Sequence, residues 1–294
     1  MSNERYQEAL ARRRAEGRYR QYDLLDASLV DFASNDYLGF AYTDEQFFPR
    51  NSMDGVLRVG SGAARLITGN SEVAESLEKL IADFHHSETA LLTATGYAAN
   101  LSVMSTLPQR GDIIFFDESV HASIRDGMQL SNAKAVKFRH NDVGHLEELL
   151  QQNEKQAFVV VESVYSMTGD LAPLVEMATL CTRFQVHLIV DEAHALGIYG
   201  PMGEGLVVAQ ELEDCVFCRI VTFGKSLGCF GAAILTNAVA RDYLVNFARP
   251  LIYSTFIPPL MLDVIQAQYH RLFQSSSERK RLFDNIEFFE QKAT

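Results

Sequence analysis

Seven short apolar runs, rich in β-branched residues, are the feature of this sequence that most restricts its fold. Helical or turn-bounded segments separate them along the chain. The runs are "TALLT" (89–93), "DIIFF" (112–116), "KAVKF" (134–138), "AFVVV" (157–161), "VHLIV" (186–190), "RIVTF" (219–223) and "GAAIL" (231–235). This alternation is typical of βαβ units, in which helices cover both faces of a mostly parallel sheet. We therefore predict an α/β fold with a mostly parallel seven-stranded sheet.

The last two runs are too close together for the usual parallel connection. Only a Gly-rich turn joins residues 219–223 to residues 231–235. A parallel crossover needs about a dozen or more residues. We therefore expect one of these two strands to be antiparallel to its neighbours.

An amphipathic helix is predicted just before the first run, in "EVAESLEKLIADFHH" (72–86). A helix with one apolar face packs that face against a core. The residues at this spacing are Val73, Leu77, Leu80, Ile81 and Phe84. From about residue 238 the pattern is again helical, with "FARPLIYSTFIPPL" as an interruption.

The composition restricts the class of partner. The chain has 294 residues, 47% of them hydrophobic, which is enough for a sizeable core. Its net charge of −12 disfavours nucleic acids and anionic membrane surfaces, because both attract basic patches. The charged segment "MSNERYQEALARRRAEGRYR" has no apolar stretch, and no run of about 18 apolar residues follows, so we expect neither a secretion signal nor a membrane span.

The cysteines favour a reducing compartment such as the cytoplasm. There are four of them, Cys181, Cys215, Cys218 and Cys229, and they do not form a disulfide framework in a chain of this length. Cys215 and Cys218 have CxxC spacing, but no second pair or histidine cluster accompanies them. We therefore predict no metal site.

Ionisable or hydroxyl side chains follow four of the predicted strands. Ligands of open α/β sheets bind at the carboxyl ends of the strands. Each group alone also fits a structural role as a helix cap, a buried histidine or a turn residue. Together they predict one shared site: Asp117 with His121, Glu162 with Ser166, Asp191 with His194, and Thr222 with Lys225.

Lys225 and Asp191 indicate which ligand this site would bind. A buried Asp can keep a pyridinium nitrogen protonated, and a nearby lysine can form a Schiff base with an aldehyde on that ring. This pair suggests pyridoxal 5′-phosphate, although a lysine in such a turn can also be simply solvated. The phosphate needs a helix N-terminus, and "TATGYAANLSV" places small residues around Gly96 before a predicted helix. A nicotinamide site fits less well, because "GIYGPMGEG" lacks G-x-G-x-x-G directly after a strand.

Seven segments of the sequence, in order, resemble the α-oxoamine synthases, which are fold-type I pyridoxal-phosphate enzymes. They are "DFASNDYLGF", "GSGAARLITGN", "TGYAAN", "DESVHASIRDG", "VESVYSMTGD", "VDEAHALGIYGPMGEG" and "VTFGKSLGCFGAAIL". The resemblance runs from about residue 4 to the end of the chain. It implies condensation of an amino acid with an acyl thioester and loss of carbon dioxide. Within the family, "RHNDVGHL" and "NFARPLIYSTFIPP" are most similar to the member that uses L-alanine and a pimeloyl thioester in biotin biosynthesis.

The resemblance implies a role for each site residue. Lys225 would be the Schiff-base lysine, Asp191 the partner of the pyridine nitrogen, and His194 the residue that hydrogen-bonds the cofactor's phenolic oxygen. His121 would stack on the ring. Further cofactor contacts are implied for Gly96, Tyr97, Ser166 and Thr222, and for Ser254 and Thr255 of a neighbouring subunit.

The resemblance also implies substrate contacts and partners. Asn35 would contact the substrate carboxylate, and Arg20 would lie near the acyl chain, although Arg20 also fits a solvated helix face. The implied partners are an amino acid, an acyl-CoA or acyl-carrier-protein thioester, and a second copy of the chain that shares the active site.

Three segments follow from this comparison: an N-terminal segment (1–45), a large cofactor-binding domain (46–250) and the start of a helical connection (251–294). Family members continue into a small C-terminal domain with an arginine that grips the amino acid's carboxylate, whereas this sequence stops at Thr294. We therefore expect exposed apolar surface around Leu272, Leu282 and Phe288.

Two other functions stay open. The first is a sister synthase that uses glycine or serine with another acyl-CoA. The second is a weakly active pyridoxal-phosphate-binding partner subunit. The joint presence of Lys225, Asp191 and His194 speaks against a purely structural role, which needs none of them.

Overall fold

The computed structural model describes residues 3–22, 24, 28–42 and 59–293. The chain divides into two compact units, residues 1–34 and 35–294. The first unit contains helix α1 (Glu4–Ala15), which has an acidic residue in its first turn and arginines in its last turn. These charges complement the helix dipole, and no side chain of α1 is buried.

The second unit is built on a seven-stranded sheet with the order β1-β7-β6-β5-β4-β2-β3. Each predicted run forms a strand within one residue of its predicted bounds. The strands are β1 (Thr89–Thr93), β2 (Ile113–Asp117), β3 (Lys134–Phe138), β4 (Ala157–Glu162), β5 (His187–Asp191), β6 (Cys218–Thr222) and β7 (Ala232–Thr236). Strand β7 pairs antiparallel with β1 and β6, and the other pairs are parallel. The predicted mostly parallel sheet with an antiparallel strand among the last two is confirmed.

Helices follow most of the strands. They are α2 (Glu72–Phe84), α3 (Gly96–Thr106), α4 (Ala122–Leu130), α5 (Val143–Gln151), α6 (Leu174–Phe184), α7 (Leu206–Ala209), α8 (Ala238–Phe247), α9 (Arg249–Ile252), α10 (Pro259–Leu272) and α11 (Ser276–Ala293). A π-helical turn (Arg65–Gly69) and a 3-10 turn (Glu213–Cys215) are also present. No helix in the described ranges is long and apolar enough to cross a membrane.

Both faces of the sheet are buried, as strand β4 shows. All six of its residues are buried. Val159 and Val161 pack in one apolar cluster, whereas Phe158 and Val160 pack in another. Successive side chains of a strand point to opposite faces, so this strand is covered on both sides. A sheet buried on both faces leaves the strand ends as the places where polar groups can gather.

Helix α2 is amphipathic as predicted, but its buried stripe is shifted. Leu77 and Ile81 are fully buried, and so is Ala74 one turn earlier. Val73 is 37% exposed and Leu80 is half-buried. Ala74 lies on the opposite side of Leu77 from these two residues, which places Val73 and Leu80 at the edge of the stripe.

The prediction that apolar side chains near the end of the chain are exposed is wrong at Leu272. This residue is fully buried, because α10 packs against α2 and adds Leu272 to the same core as Leu77. Leu282 is partly buried against that core. Phe288 of α11 is 62% exposed, and Phe273, which directly follows Leu272, is 39% exposed.

Candidate active site

The carboxyl ends of the central strands surround a cavity of about 150 Å³. It is lined by Gly96, Tyr97, Asn100, His121, Ser123, Glu162, Asp191, Ala193, His194, Thr222 and Lys225. These groups lie at one edge because β1 to β6 run in the same direction, so the connections that follow them leave the sheet there, whereas β7 runs the other way. Eight of the sequence-predicted residues therefore meet in one cavity.

Lys225 ends a chain of hydrogen bonds that crosses the site. Its Nζ lies 2.6 Å from Nε2 of His194, and Nδ1 of His194 lies 2.7 Å from the hydroxyl of Tyr37. The Tyr37 hydroxyl donates to Oδ1 of Asn35 at 3.1 Å. A hydroxyl has one proton, so His194 then donates its Nδ1–H to the Tyr37 oxygen, and Nε2 accepts from Lys225.

Burial makes both members of the Lys225–His194 pair less basic. Burial and the neighbouring Lys225 charge lower the pKa of His194 to about 4, so this imidazole is neutral at neutral pH. Burial also lowers the pKa of Lys225, although the charges of Asp191 and Glu162 oppose the shift. An amine with a lowered pKa is available as a base or nucleophile at lower pH than a surface lysine.

Asp191 is held in place by donors on both of its oxygens. It ends strand β5 and is only 5% exposed. Its Oδ1 accepts from the Ala193 N–H at 2.9 Å, and its Oδ2 accepts from Nδ2 of Asn100 at 2.7 Å. Asn100 also donates to Ser123 at 3.0 Å. Each carboxylate oxygen keeps a further acceptor site for a donor in the cavity.

Glu162 adds a second buried carboxyl at the end of β4. Burial and the nearby Asp191 charge raise the pKa of Glu162 to about 8, so it holds a proton at neutral pH. The backbone N–H groups of His121 and Ser166 donate to it. The cavity therefore contains two carboxyl groups, of which Glu162 is protonated at neutral pH, besides the nitrogen groups of Lys225 and His194.

Helix α3 points its N-terminus at the cavity. Thr95 caps the helix by accepting from the Ala98 N–H at 3.0 Å. A Cβ added at Gly96 would meet Oγ1 of Thr222 at 3.4 Å, so glycine keeps the first turn open next to Thr222. The N-terminus of a helix carries partial positive charge and free N–H groups that favour an anion such as a phosphate.

The imidazole of His121 lies at the mouth of the cavity. His121 is the N-cap of α4, and its Nδ1 accepts from the Ser123 N–H at 3.2 Å and lies 2.8 Å from the Ser123 hydroxyl. The residue is exposed, so one side of the ring is accessible from the cavity.

Six predicted residues lie outside the cavity lining. Asp117 is fully buried, and its Oδ1 lies 2.9 Å from Nδ1 of His140. Ser166 is exposed and contributes its backbone N–H to Glu162. Ser254 and Thr255 are exposed, and Thr255 forms an isolated bridge with Ala64. Asn35 is connected to His194 through the Tyr37 hydroxyl. Arg20 is exposed in the first unit.

Sequence reasoning missed Tyr37, Asn100 and Ser123 as site residues. Asn100 lies four residues after Gly96, and this helical spacing puts both on the same face of α3. Ser123 follows His121 by two residues and shares its turn. For Tyr37 the segment "SNDYLGF" offered only the tyrosine itself, since its contact is with His194, 157 positions away.

These residues fit pyridoxal 5′-phosphate. The fit rests on the buried carboxylate of Asp191, the reachable amine of Lys225 and the helix N-terminus at Gly96. In addition, Oδ1 of Asn100 is buried and has no hydrogen-bond partner within the described residues. The fit assigns Lys225 to the aldehyde, Asp191 to the ring nitrogen and the first turn of α3 to the phosphate.

Comparison with known proteins agrees with this geometry. The family described as "Aminotransferase class I and II" matches residues 27–293. An 8-amino-7-oxononanoate synthase of Emericella nidulans is 40% identical over an alignment of 291 positions, and this alignment covers 92% of this chain and 71% of the relative.

Two solved structures have similar folds. One is 8-amino-7-oxononanoate synthase from Francisella tularensis, with a TM-score of 0.77, 30% identity, and coverage of 90% of this chain and 76% of that one. The other is a serine palmitoyltransferase variant from S. paucimobilis with a bound PLP–myriocin aldimine, with a TM-score of 0.81 and 32% identity. That match covers 86% of this chain and 64% of the palmitoyltransferase chain, which is just under two thirds. The chain therefore belongs to the aminotransferase class I and II family, and its resemblance to the α-oxoamine synthases within that family is confirmed.

Proposed function

We propose that this chain binds pyridoxal 5′-phosphate and condenses L-alanine with a pimeloyl thioester in biotin biosynthesis. The products are 8-amino-7-oxononanoate, carbon dioxide and a free thiol. The observation that carries the proposal is the cavity in which Lys225, Asp191 and His194 meet. The similarity to the 8-amino-7-oxononanoate synthases of Emericella nidulans and Francisella tularensis supports the choice of substrates.

The bonds of the reaction balance. One carbon–carbon bond forms between Cα of alanine and the thioester carbonyl carbon, and the carbon–sulfur bond breaks to release the thiol. The Cα–H bond breaks before this step, and the leaving thiolate takes up a proton. The bond from Cα to the carboxylate breaks to release carbon dioxide, and a proton replaces the carboxylate on Cα. When bound, pyridoxal 5′-phosphate supplies an aldehyde that attaches the amino acid and a ring that withdraws electrons from Cα.

The chain's own residues supply the remaining chemistry. The amine of Lys225, with its lowered pKa, is the base placed to take the Cα proton. Asp191 would pair with the ring nitrogen of the bound cofactor, and His194 orients the Lys225 amine through the 2.6 Å contact. Glu162 carries a proton at neutral pH and can return one to the product. We also propose the carboxylate contact for Asn35 and the acyl-chain contact for Arg20.

Absorption spectra of the purified chain test cofactor binding. Addition of pyridoxal 5′-phosphate is expected to give a visible band that borohydride fixes on Lys225, as located by peptide mass spectrometry. Lys225→Ala removes the fixed adduct, whereas Lys280→Ala, which changes an exposed lysine of α11, keeps it. A wild-type chain that stays colourless contradicts the proposed function.

Substrate choice separates the proposal from its sister reaction. The similarity to serine palmitoyltransferase favours glycine or serine with another acyl-CoA as the second candidate. For the proposed reaction, L-alanine perturbs the spectrum at lower concentration than glycine or L-serine, and carbon dioxide release requires the pimeloyl thioester. A preference for serine with a long-chain acyl-CoA assigns the chain to the second candidate.

The proposed assembly is a homodimer with a shared site. Ser254 and Thr255 are exposed in one copy, so they are available to reach the phosphate of a neighbour. The four free cysteines fit the cytoplasm as compartment. Light scattering tests the dimer, and mixing Lys225→Ala with Ser254→Ala chains tests sharing. Saturable turnover at ordinary alanine concentrations decides between a full enzyme and a weakly active partner subunit.

A further inference from the structure

We propose that His140 is a positioning residue that acts as a cation. In this role it joins Asp117 to Asp170 and holds the hairpin of residues 163–172, which supports one wall of the candidate active site. The cross-link itself is independent of the proposed function, whereas its effect on cofactor binding rests on that function.

The geometry of His140 requires two donated protons. Its Nδ1 lies 2.9 Å from Oδ1 of Asp117, and its Nε2 lies 2.8 Å from Oδ2 of Asp170. A neutral imidazole has a single N–H, so its second nitrogen would point a lone pair at a carboxylate oxygen. Only the imidazolium donates to both carboxylates. Such charge-assisted hydrogen bonds are stronger than hydrogen bonds between neutral groups.

Asp170 belongs to the hairpin that follows β4. Its backbone oxygen accepts from the Tyr165 N–H at 3.0 Å, and Val164 forms a bridge with Leu171. The Asp170 carboxylate also accepts from Nδ2 of Asn141 at 2.7 Å. His140 and Asn141 thus attach the hairpin to the segment that follows β3.

The base of the hairpin is bonded to the cavity. The Ser163 N–H donates to the backbone oxygen of Asp191 at 2.9 Å, and the Ser166 N–H donates to the carboxyl of Glu162. Displacement of the hairpin therefore removes a donor from Glu162 and loosens the end of β5. His140 reaches the site through this hairpin and lines no part of the cavity.

The charged groups around His140 favour its protonated form. Asp117 and Glu118 face it from the end of β2, where Glu118 also accepts from the His140 N–H at 3.3 Å and pairs with Lys137. Asp170 faces it from the hairpin, and the Tyr165 ring packs edge-on at 4.4 Å. Burial opposes the charge, but the Asp117 and Asp170 carboxylates outweigh it and raise the pKa of His140 above 6.5.

The raised pKa of His140 makes the cross-link stronger at low pH than at high pH. The folded state binds the His140 proton more tightly than the unfolded state, so the cross-link contributes fully below pH 6.5. The contribution is lost as pH rises through the raised pKa. We expect the hairpin to loosen on that alkaline side.

Hydrogen exchange on the purified chain without cofactor tests the cross-link. After correction for intrinsic rates, the peptide of residues 163–172 is protected at pH 6.5 and loses protection at higher pH. Asp170→Asn removes one carboxylate charge and shifts this loss to lower pH. His140→Gln abolishes the protection at both pH values, while His270→Gln, at an exposed histidine of α10, changes nothing. Helix α6 serves as the internal reference for intact folding.

An NMR titration of the wild-type imidazole avoids any folding defect of the variants. Two N–H signals for His140 at pH 6.5 support the cation. A single N–H signal, or protection of residues 163–172 that is the same in Asp170→Asn and wild type at every pH, overturns the proposal.

Cofactor affinity links the cross-link to the site. His140→Gln is expected to weaken pyridoxal 5′-phosphate binding by roughly tenfold, because an ionic hydrogen-bonded support is lost. Equal affinity in His140→Gln and wild type overturns the positioning role. A wild-type chain that binds no pyridoxal 5′-phosphate refutes the proposed function, and the exchange and NMR results still decide the cross-link.

Discussion

A methyl group added at Gly228 is expected to disrupt the turn that carries Lys225. Gly228 has a φ of +58°, and its N–H donates to the Lys225 backbone oxygen at 2.8 Å. A Cβ built on Gly228 would lie 2.1 Å from the backbone nitrogen of Ala41 and 2.3 Å from the backbone carbon of Phe40. Backbone atoms cannot rotate out of the way as side chains can, so the turn or the Phe40–Ala41 segment must move.

The cost of Gly228→Ala has two parts. The left-handed conformation costs a residue with a Cβ about 1–2 kcal/mol. Overpacking costs about 1–3 kcal/mol more. The free energy of unfolding is therefore expected to fall by about 2–5 kcal/mol.

Gly39→Ala is the matched control. Gly39 has a φ of +71°, but a Cβ there would meet no atom within 4 Å. This variant carries the conformational cost of about 1–2 kcal/mol without the clash. The substitution also lowers the entropy of the unfolded chain equally in both variants, so their difference isolates the clash.

Urea unfolding followed by circular dichroism measures both free energies, and titration with pyridoxal 5′-phosphate measures the effect on the site. Gly228→Ala is expected to be less stable than Gly39→Ala by about 1–3 kcal/mol and to bind the cofactor more weakly. If Gly228→Ala is as stable as Gly39→Ala, the close approach of the two segments is not a constraint and the reasoning is refuted.

Three further predictions concern the cavity. Tyr37→Phe is expected to lower the free energy of unfolding by about 1 kcal/mol, because one hydrogen bond is lost. It should also leave the tautomer of His194 no longer fixed, which ¹⁵N chemical shifts of the imidazole measure. An unchanged tautomer contradicts the hydrogen-bond chain. Asn100→Ala removes the buried side-chain donor to Asp191, so the affinity for pyridoxal 5′-phosphate should fall about tenfold in a spectroscopic titration. An unchanged affinity shows that Asn100 does not hold Asp191 in place for the cofactor. Glu162 keeps its proton to about pH 8 when folded but loses it near pH 4.5 when unfolded, so this group makes stability fall as pH rises across that range. Glu162→Gln should flatten the slope of unfolding free energy against pH, and an unchanged slope shows that Glu162 titrates normally.

Whether a site residue could be predicted from the sequence depends on the distance along the chain to the residues it contacts. Lys225, Asp191 and His194 could be predicted because each follows a recognisable strand, and strand ends gather at one edge of a parallel sheet. The role of Tyr37 could not, since it depends on a partner 157 positions away. The cofactor contact of Ser166 stays a prediction, while the bond from its backbone N–H to Glu162 could not be read from the sequence.

By itself, the sequence determined the seven strands, the antiparallel strand among the last two and the chemistry of the strand ends. These depend on local alternation, residue type and connection length, which neighbouring residues decide. The order of the strands, the burial of Leu272 against α2 and the placement of His140 between two carboxylates depended on the tertiary structure. Such features follow from which surfaces pack together, and a pattern within one segment does not specify the segment it will meet.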